Sequence, residues 1–176
     1  MSPAVHVRRQ PRPGDLDAIV AHHERAYVAE HGVDRVFVER VAEAVERARA
    51  DGFPRATEGL WIVERDGRHA GSVAVTDEGD GLAMLRWVLL DPAVRGDGLG
   101  RRLIGEAVAA GRAAGQRRIA LETFGALTTA GAIYRGLGFA VVRSTTGPRW
   151  GLPSVTYQRY ELDLAAAPVA AGHGPG

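Results

Sequence analysis

The stretch Arg95-Gly96-Asp97-Gly98-Leu99-Gly100 lies between two segments of different character. Before it, residues 85–90 (LRWVLL) form a largely apolar run that is typical of a buried strand. After it, residues 101–108 (RRLIGEAV) place small and apolar side chains at helical spacing. A glycine-rich turn between a strand and a helix binds anions, because free backbone N–H groups and the helix dipole meet there. The stretch therefore predicts a phosphate site.

The spacing of the glycines distinguishes between phosphate ligands. A P-loop is excluded, because no Lys-Ser or Lys-Thr pair follows the glycines. A dinucleotide fingerprint would place G-x-G-x-x-G after an early strand, with an acidic residue about 20 positions further on. Here the order is R-x-x-G-x-G in the second half of the chain, and Arg95 and Arg101 add positive charge. A tight strand-to-helix connection without a ligand is the simpler alternative.

A second segment, residues 128–139 (TTAGAIYRGLGF), has the pattern of a short helix followed by a strand. Thr128 or Thr129 is the expected helix cap, and Gly138 suits the left-handed residue that ends a helix. The strand after it begins at Phe139, and a further strand over residues 118–123 precedes the helix.

Together these segments resemble the two signatures of the GNAT acyltransferase superfamily, R-x-x-G-x-G at 95–100 and Tyr-x-x-x-Gly-Phe at 134–139. The resemblance spans most of the chain. Residues 26–32, 83–92 and 160–164 make it closest to the acetyltransferase half that is fused to MarR-type regulators. It implies the GNAT fold, an α/β (α+β) fold with a mixed, mostly antiparallel central sheet flanked by helices. We expect no transcriptional role, because no winged-helix DNA-binding half is recognised.

The rest of the sequence supplies the other elements, in the order strand, two helices, three strands, helix, strand, helix and two strands. Asp15 is the expected N-cap of the first helix, and Asp34 opens the second. The Asp-Gly pair within residues 65–68 predicts a β-hairpin. We expect one domain over residues 1–164. A disordered tail is expected over residues 165–176, which are rich in Ala, Gly and Pro.

Composition limits the class of protein. The chain has 176 residues, of which 45% are hydrophobic and 24% charged, and this is ordinary for a globular protein with one core. The formal net charge of +1 gives no reason to expect a nucleic acid or a membrane as partner. No apolar run suits a membrane span or a signal peptide, so we expect a cytoplasmic protein. A monomer or homodimer is expected.

The resemblance also assigns a cofactor site. It implies acetyl-CoA as co-substrate, an amine as acceptor and no metal. The CoA pyrophosphate is assigned to the loop formed by Arg95, Gly96, Asp97, Gly98, Leu99, Gly100 and Arg101. In the family the preceding strand splays open and its backbone binds the pantetheine, which here assigns Val88, Leu89 and Leu90. Because the chain has no Cys, an acyl-Cys intermediate is excluded, and direct transfer in a ternary complex remains.

Tyr134 stands where the family has the tyrosine that protonates the leaving thiolate. The simpler alternative is a half-buried helix residue whose hydroxyl binds water. One departure from the family is Leu127, where an Asn commonly bonds the cofactor. Thr123, Thr128 or Thr129 could replace that contact, or the contact is absent.

The acceptor site is less clearly marked. Glu122, near the end of its strand, is a candidate catalytic group and a candidate acceptor contact. Tyr27, Glu30 and His31 are further acceptor contacts, because Tyr27 shares a helix face with both of the others. The alternative for Glu30 is a surface ion pair with an arginine.

The base that deprotonates the amine is left open, and a water chain is as plausible as any side chain. Arg86 lies where some relatives carry a Glu base. His22 and His23 are adjacent on a helix and face different directions, and each is more often a surface residue. If the predicted contacts are wrong, the acceptor site is expected near Arg149 and Trp150.

The leading hypothesis is an acetyl-CoA-dependent N-acetyltransferase that acts on a primary amine of a small molecule or amino acid derivative. A protein or peptide N-acetyltransferase is the first alternative, and it would need an open groove. A non-catalytic acyl-CoA sensor is the second, although Tyr134 argues against it. O-acyl transfer is also open.

Overall fold

The computed structural model of the protein describes residues 4–165, and its elements follow the predicted order with one added turn of 3₁₀ helix. Residues 166–176 of the predicted tail lie outside the described residues. The elements are β1 (Val5–Arg8), α1 (Asp15–His31), α2 (Arg35–Ala50), β2 (Gly59–Arg65), β3 (Arg68–Asp77), β4 (Leu82–Leu90), the 3₁₀ turn (Pro92–Val94), α3 (Leu99–Ala113), β5 (Arg118–Phe124), α4 (Thr128–Gly136), β6 (Ala140–Arg149) and β7 (Leu152–Asp163).

The seven strands form one sheet in the order β1-β2-β3-β4-β5-β7-β6. Among the described strands, β4 and β5 are the one parallel pair, and all other neighbours are antiparallel. Parallel neighbours need a crossover connection, which α3 supplies. The predicted mixed, mostly antiparallel sheet is therefore confirmed. Within residues 4–165, no helix combines the length and the apolar character that a membrane span requires.

The two faces of the sheet carry different helices, because side chains alternate between the faces along each strand. On one face, Trp61 of β2 belongs to a core that includes Leu103 of α3. On the other face, the neighbouring Ile62 packs with Ile19 of α1 and Val45 of α2. Burial of each such side chain stabilises the fold by about 1.5–3 kcal/mol.

β4 and β5 separate from each other partway along the sheet. Residues 82–84 pair with residues 118–120, and no further pairing joins the two strands although both continue. Trp87 interrupts the regular geometry of β4 at a φ of 50°, and its carbonyl accepts a hydrogen bond from the Ser72 hydroxyl at 2.6 Å. A wedge-shaped gap results, as the resemblance implies for the strand before the loop.

The predicted cap of α1 is wrong. The helix begins at Asp15 itself, and Gly14 occupies the N-cap position with a left-handed φ of 88°. The Asp15 carboxylate instead accepts hydrogen bonds from the Arg12 backbone N–H and from the buried Arg8 guanidinium. The charge of Arg8 therefore decides where this side chain points. Asp34 does cap α2 as predicted, by accepting a bond from the Val36 N–H at 3.0 Å.

The predicted cap of α4 is also wrong. Leu127 occupies the N-cap position and no side chain caps the helix, so Thr128 and Thr129 both lie inside its first turn. The left-handed Gly138 after the helix is confirmed, with a φ of 95°.

The last hairpin is longer than the sequence predicts, because the strand-like pattern covers only residues 139–142 and 157–164. β6 continues to Arg149 and β7 begins at Leu152, because Trp150 and Gly151 form the turn with φ values of 50° and 76°. β6 is an edge strand, where a proline such as Pro148 is tolerated. The longer hairpin carries its turn toward the start of α2.

Replacing Asp15 by Ala should lower the free energy of unfolding by about 3 kcal/mol, because it removes one partner of a buried ion pair. Arg8 is 7% exposed and binds both Asp15 and Glu64. Asp17→Ala is the matched control, because Asp17 is in the same helical turn and its partner Arg49 is exposed. That control should cost less than about 1 kcal/mol. Urea unfolding measures both, and equal losses would contradict the prediction.

Candidate active site

The turn between β4 and α3 presents free backbone N–H groups. Gly96 and Gly98 have φ values of 120° and 73°, in the region that favours glycine. The first bond into α3 runs from the Arg102 N–H to the Gly98 carbonyl at 3.0 Å. Within the described chain, the N–H groups of residues 99–101 have no backbone acceptor. Free N–H groups at the start of a fifteen-residue helix form an anion site.

The two arginines beside this turn are partly engaged elsewhere. The Arg95 Nε donates to the Leu90 carbonyl at 2.8 Å, and its Nη2 lies 3.8 Å from Glu30 Oε2. The Arg101 Nη2 donates to the Gly136 carbonyl at 3.1 Å, which joins α3 to the end of α4. The backbone N–H groups of the turn, including that of Arg101, are therefore free donors, whereas the side chains of Arg95 and Arg101 already have partners.

A cavity of about 820 Å³ occupies the gap between β4 and β5. β4 lines it with residues 84–88 and β5 with residues 121–124, and the two strands no longer pair beyond Met84 and Ala120. Side chains from α1, α2, α4 and the β6–β7 hairpin complete the wall. The cavity thus reaches helices on both faces of the sheet. Its aromatic lining residues are Tyr27, Phe37, Trp87, Phe124, Tyr134, Trp150 and Tyr157.

Phe124 is the centre of this aromatic wall. Its ring centroid lies 5.6 Å from Tyr27, 5.6 Å from Phe37 and 4.9 Å from Trp150. The Asp34 N–H donates to the Trp150 carbonyl at 2.9 Å and ties the hairpin turn to the start of α2. Packed aromatic side chains and a few polar groups are the usual lining of small-molecule sites.

Tyr134 lines the cavity and is 4% exposed, so the half-buried alternative does not describe it. Its ring packs at 5.9 Å from Phe139 and 5.6 Å from Tyr160. Burial raises the pKa of the Tyr134 hydroxyl above its usual range. Its hydroxyl therefore keeps its proton at neutral pH, as a proton donor must.

Two of the four predicted acceptor contacts, Tyr27 and Glu122, line the cavity. Glu30 and His31 are not among the lining residues. Glu30 lies beside Arg95, so the surface ion pair that was its alternative is present. His31 packs behind Tyr27 at 5.3 Å. Burial raises the pKa of Tyr27 to about 12, so this phenol is neutral.

The Glu122 carboxylate is surrounded by donors. It accepts hydrogen bonds from Arg143 at 2.9 Å and from the Tyr157 hydroxyl at 3.0 Å, and Arg159 Nη1 lies 3.6 Å away. This arrangement neutralises Glu122 and orients Tyr157 in the cavity wall. Its predicted contact with the acceptor stays a prediction.

Several residues considered for the base and for the missing Asn contact line the cavity. Arg86 lines the cavity, but its guanidinium bonds Thr76 at 3.0 Å and Glu78 at 2.9 Å. Of the three threonines offered in place of the missing Asn, Thr123 lines the cavity, as does Leu127 itself. Arg149 and Trp150, the fallback location, also line it.

His23 is a lining residue that the sequence did not distinguish from its neighbour. It is 4% exposed, and its ring stacks on Tyr27 with centroids 5.7 Å apart. His22 points away from the cavity and packs against His69 at 5.3 Å. Adjacent histidines on a helix carry no signal that separates them, because only the rotation of α1 decides which one faces inward.

The residues present fit a CoA thioester. The free N–H groups of residues 99–101 suit the pyrophosphate, which is an anion. The unpaired edges of β4 and β5 suit the amide groups of an extended pantetheine arm, which would hydrogen-bond like an added strand. The predicted residues 88–90 lie on the β4 edge of this gap.

Comparison with known proteins found solved structures of similar fold and one matching family. No curated protein matches the chain. Among solved structures, a GNAT-family protein from Desulfovibrio desulfuricans is 22% identical, with a TM-score of 0.67 over 92% of this chain and 99% of that one. An N-acetyltransferase from Staphylococcus aureus is 17% identical, with a TM-score of 0.70 over 92% and 99%. A proposed acetyltransferase from Salmonella typhimurium, with its cofactor acetyl-CoA, is 21% identical, with a TM-score of 0.66 over 95% and 99%.

At these identities the solved structures share the fold with this chain. The sequence profile of the acetyltransferase (GNAT) family matches residues 16–139, which include both the glycine-rich turn and Tyr134. The chain therefore belongs to the GNAT family of acetyltransferases.

Proposed function

We propose that the protein transfers the acetyl group of acetyl-CoA directly to a primary amine of a small molecule or amino acid derivative. One observation carries this proposal, namely that the anion-binding turn, the gap in the sheet and the aromatic cavity all meet at β4. A phosphate-bearing cofactor arm and an acceptor could therefore approach each other in the gap. The Salmonella relative with acetyl-CoA as its cofactor supports the choice of acyl donor.

The N–H groups of residues 99–101 would hold the pyrophosphate, and the β4 edge at residues 88–90 would hold the pantetheine arm. Acetyl-CoA supplies an activated acetyl group as a thioester. Tyr134 keeps a proton on a buried hydroxyl at the cavity wall, available to the sulfur as it leaves. Glu122 accepts a hydrogen bond from the Tyr157 hydroxyl and so positions Tyr157, a residue of β7, in the cavity wall.

The size of the cavity supports a small acceptor. Its volume of about 820 Å³ lies within the range of about 300–1,000 Å³ that small-molecule sites occupy. The hydrogen bond between Asp34 and Trp150 closes the wall where α2 meets the hairpin turn. A peptide acceptor would need a groove that continues past this contact.

Several expectations remain proposals. We place the chain closest to the MarR-fused acetyltransferase halves on the strength of residues 26–32, 83–92 and 160–164. We also propose a single domain over residues 1–164, a cytoplasmic location, and a monomer or homodimer whose partner is a small amine.

A panel of amines assayed with acetyl-CoA should reveal thiol release above the rate without acceptor. The panel contains alkylamines, arylalkylamines, amino acids, amino acid amides and short peptides with free N-termini. Acceleration by the small amines is the expected result. Acceleration by the peptides alone would favour a peptide N-acetyltransferase, and binding of CoA with no turnover on any amine would favour a sensor.

A further inference from the structure

The inner wall of the cavity carries one buried imidazole, His23 of α1. Its Nδ1 lies 2.8 Å from the Ile19 carbonyl, one helical turn earlier. A carbonyl can only accept, so Nδ1 carries the ring proton and Nε2 has a bare lone pair. The tautomer is therefore set by the helix itself.

Nε2 of His23 has no hydrogen-bond partner within residues 4–165, and this atom is accessible to solvent. His23 is 4% exposed and lines the cavity, and on this ground we take its accessible Nε2 to face the cavity. By contrast, Nδ1 of the adjacent His22 is sealed and unpartnered. The two histidines thus have the same chemistry but different surroundings.

The surroundings of His23 disfavour charge. Its ring stacks on Tyr27, which lines the same cavity as Tyr134. Burial, together with the nearby His22 and His69, lowers the pKa of His23 to about 4. No carboxylate contributes to this shift among the described residues. The charged side chains on the same cavity wall are Glu39, Arg40, Glu43 and Arg47 of α2, Arg86 of β4, Glu122 of β5 and Arg149 of β6.

We propose that Nε2 of His23 accepts a hydrogen bond from the amino group of the acceptor and holds it as a neutral amine on the aromatic wall. This inference rests on the proposed function and deepens it. It names the substrate class as a primary amine that is carried on an apolar or aromatic body, because Tyr27, Phe37 and Phe124 surround this part of the wall.

The hydrogen bond leaves the nitrogen lone pair free to form the C–N bond while the C–S bond of the thioester breaks. The proton that the nitrogen loses goes to water, and the sulfur takes a proton from Tyr134. Water returns a proton to Tyr134, so the proton released by the nitrogen balances the one that the sulfur gains. His23 itself neither gains nor loses a proton, since Nδ1 keeps its hydrogen. A neutral imidazole is therefore sufficient for this role.

The test compares His23→Leu with His23→Gln, using the best amine of the panel. The amide oxygen of Gln replaces the acceptor at the Nε2 position, and Leu replaces only the volume. His23→Leu should raise the acceptor KM about tenfold, as the loss of one hydrogen bond implies. His23→Gln should restore most of the loss, and both variants should keep the wild-type affinity for acetyl-CoA.

His22→Leu is the matched control, because it removes the adjacent buried imidazole from outside the cavity. It should leave the acceptor KM unchanged. The kcat/KM of wild type should rise with pH as the free amine loses its proton. The pH profile should have no inflection near the ordinary imidazole pKa of about 6.5. An unchanged KM in His23→Leu, or equal losses in His23→Leu and His23→Gln, would overturn the inference.

A second readout separates this inference from the proposed function. With CoA present, a primary amine such as phenethylamine should raise the melting temperature of wild type and of His23→Gln but not of His23→Leu. If wild type shows this shift but releases no thiol with any amine, the proposed function fails and the His23 inference holds. If the amine shifts His23→Leu as much as wild type, the His23 inference fails whatever the turnover.

Discussion

Replacing Gly98 by Val should abolish the binding of acetyl-CoA. Gly98 has a φ of 73° and its carbonyl accepts the first bond of α3, so a β-branched residue there would force the turn to rearrange. The N–H groups of residues 99–101 would then no longer point at one anion. Acetyl-CoA at 100 times its dissociation constant should stabilise wild type by about 2.7 kcal/mol, which raises the melting temperature by about 5–11 °C. Gly98→Val should show no such shift.

Gly115→Val is the control for the strain itself. Gly115 follows α3 with a φ of 76°, and, as at Gly98, a Cβ added to it would meet no atom within 4 Å. The substitution should therefore cost similar stability while acetyl-CoA still raises the melting temperature. A full CoA shift in Gly98→Val would show that the turn does not hold the phosphate.

The second large effect is expected for Tyr134→Phe, which should lower kcat about 100-fold or more. The variant removes only the hydroxyl, so the ring contacts with Phe139 and Tyr160 remain and the fold should be preserved. The proton matters as the sulfur leaves, and the loss therefore falls on the transition state. The affinity for acetyl-CoA should change little. Single-turnover measurements, with chemistry limiting the rate, provide the test.

Tyr160→Phe is the matched control for this variant. Tyr160 is 1% exposed, and its hydroxyl bonds Arg135 and Gln158 outside the cavity lining. Its removal should reduce stability by about 1 kcal/mol and leave kcat near the wild-type value. If Tyr134→Phe retained wild-type turnover in the same assay, Tyr134 would be a structural residue.

The sequence predicted the fold because its strongest signals are local. Gly98 and Gly138 mark conformations that other residues rarely adopt, and both are left-handed in the structure. The Asp-Gly turn of the second hairpin has φ values of 51° at Asp66 and 74° at Gly67, as a tight hairpin turn requires. Such residues mark the ends of helices and strands by their local conformation, independently of the rest of the chain.

Sequence reasoning failed where a partner distant in sequence decides the outcome. Asp is a common capping residue, but the Asp15 carboxylate binds the Arg8 guanidinium instead of capping the helix. Glu64 of β2 binds the same guanidinium. Glu122 looked like a free carboxylate at a strand end, and Arg143 and Arg159 neutralise it from β6 and β7. His23 and His22 could not be separated, because nothing local records the rotation of α1.

The gap between β4 and β5 also has a consequence for how the chain folds. β1 to β4 and β5 to β7 are two half-sheets, each built from antiparallel neighbours. In the described part of the chain, the two half-sheets are joined only where residues 82–84 pair with residues 118–120, and the chain between these residues includes the whole of α3. Closing so long a loop for so few backbone bonds is entropically unfavourable until the helices pack. We therefore expect the half-sheets to form early and their junction late. The unpaired strand edges that we propose for the pantetheine arm would then also be the last part of the sheet to be assembled.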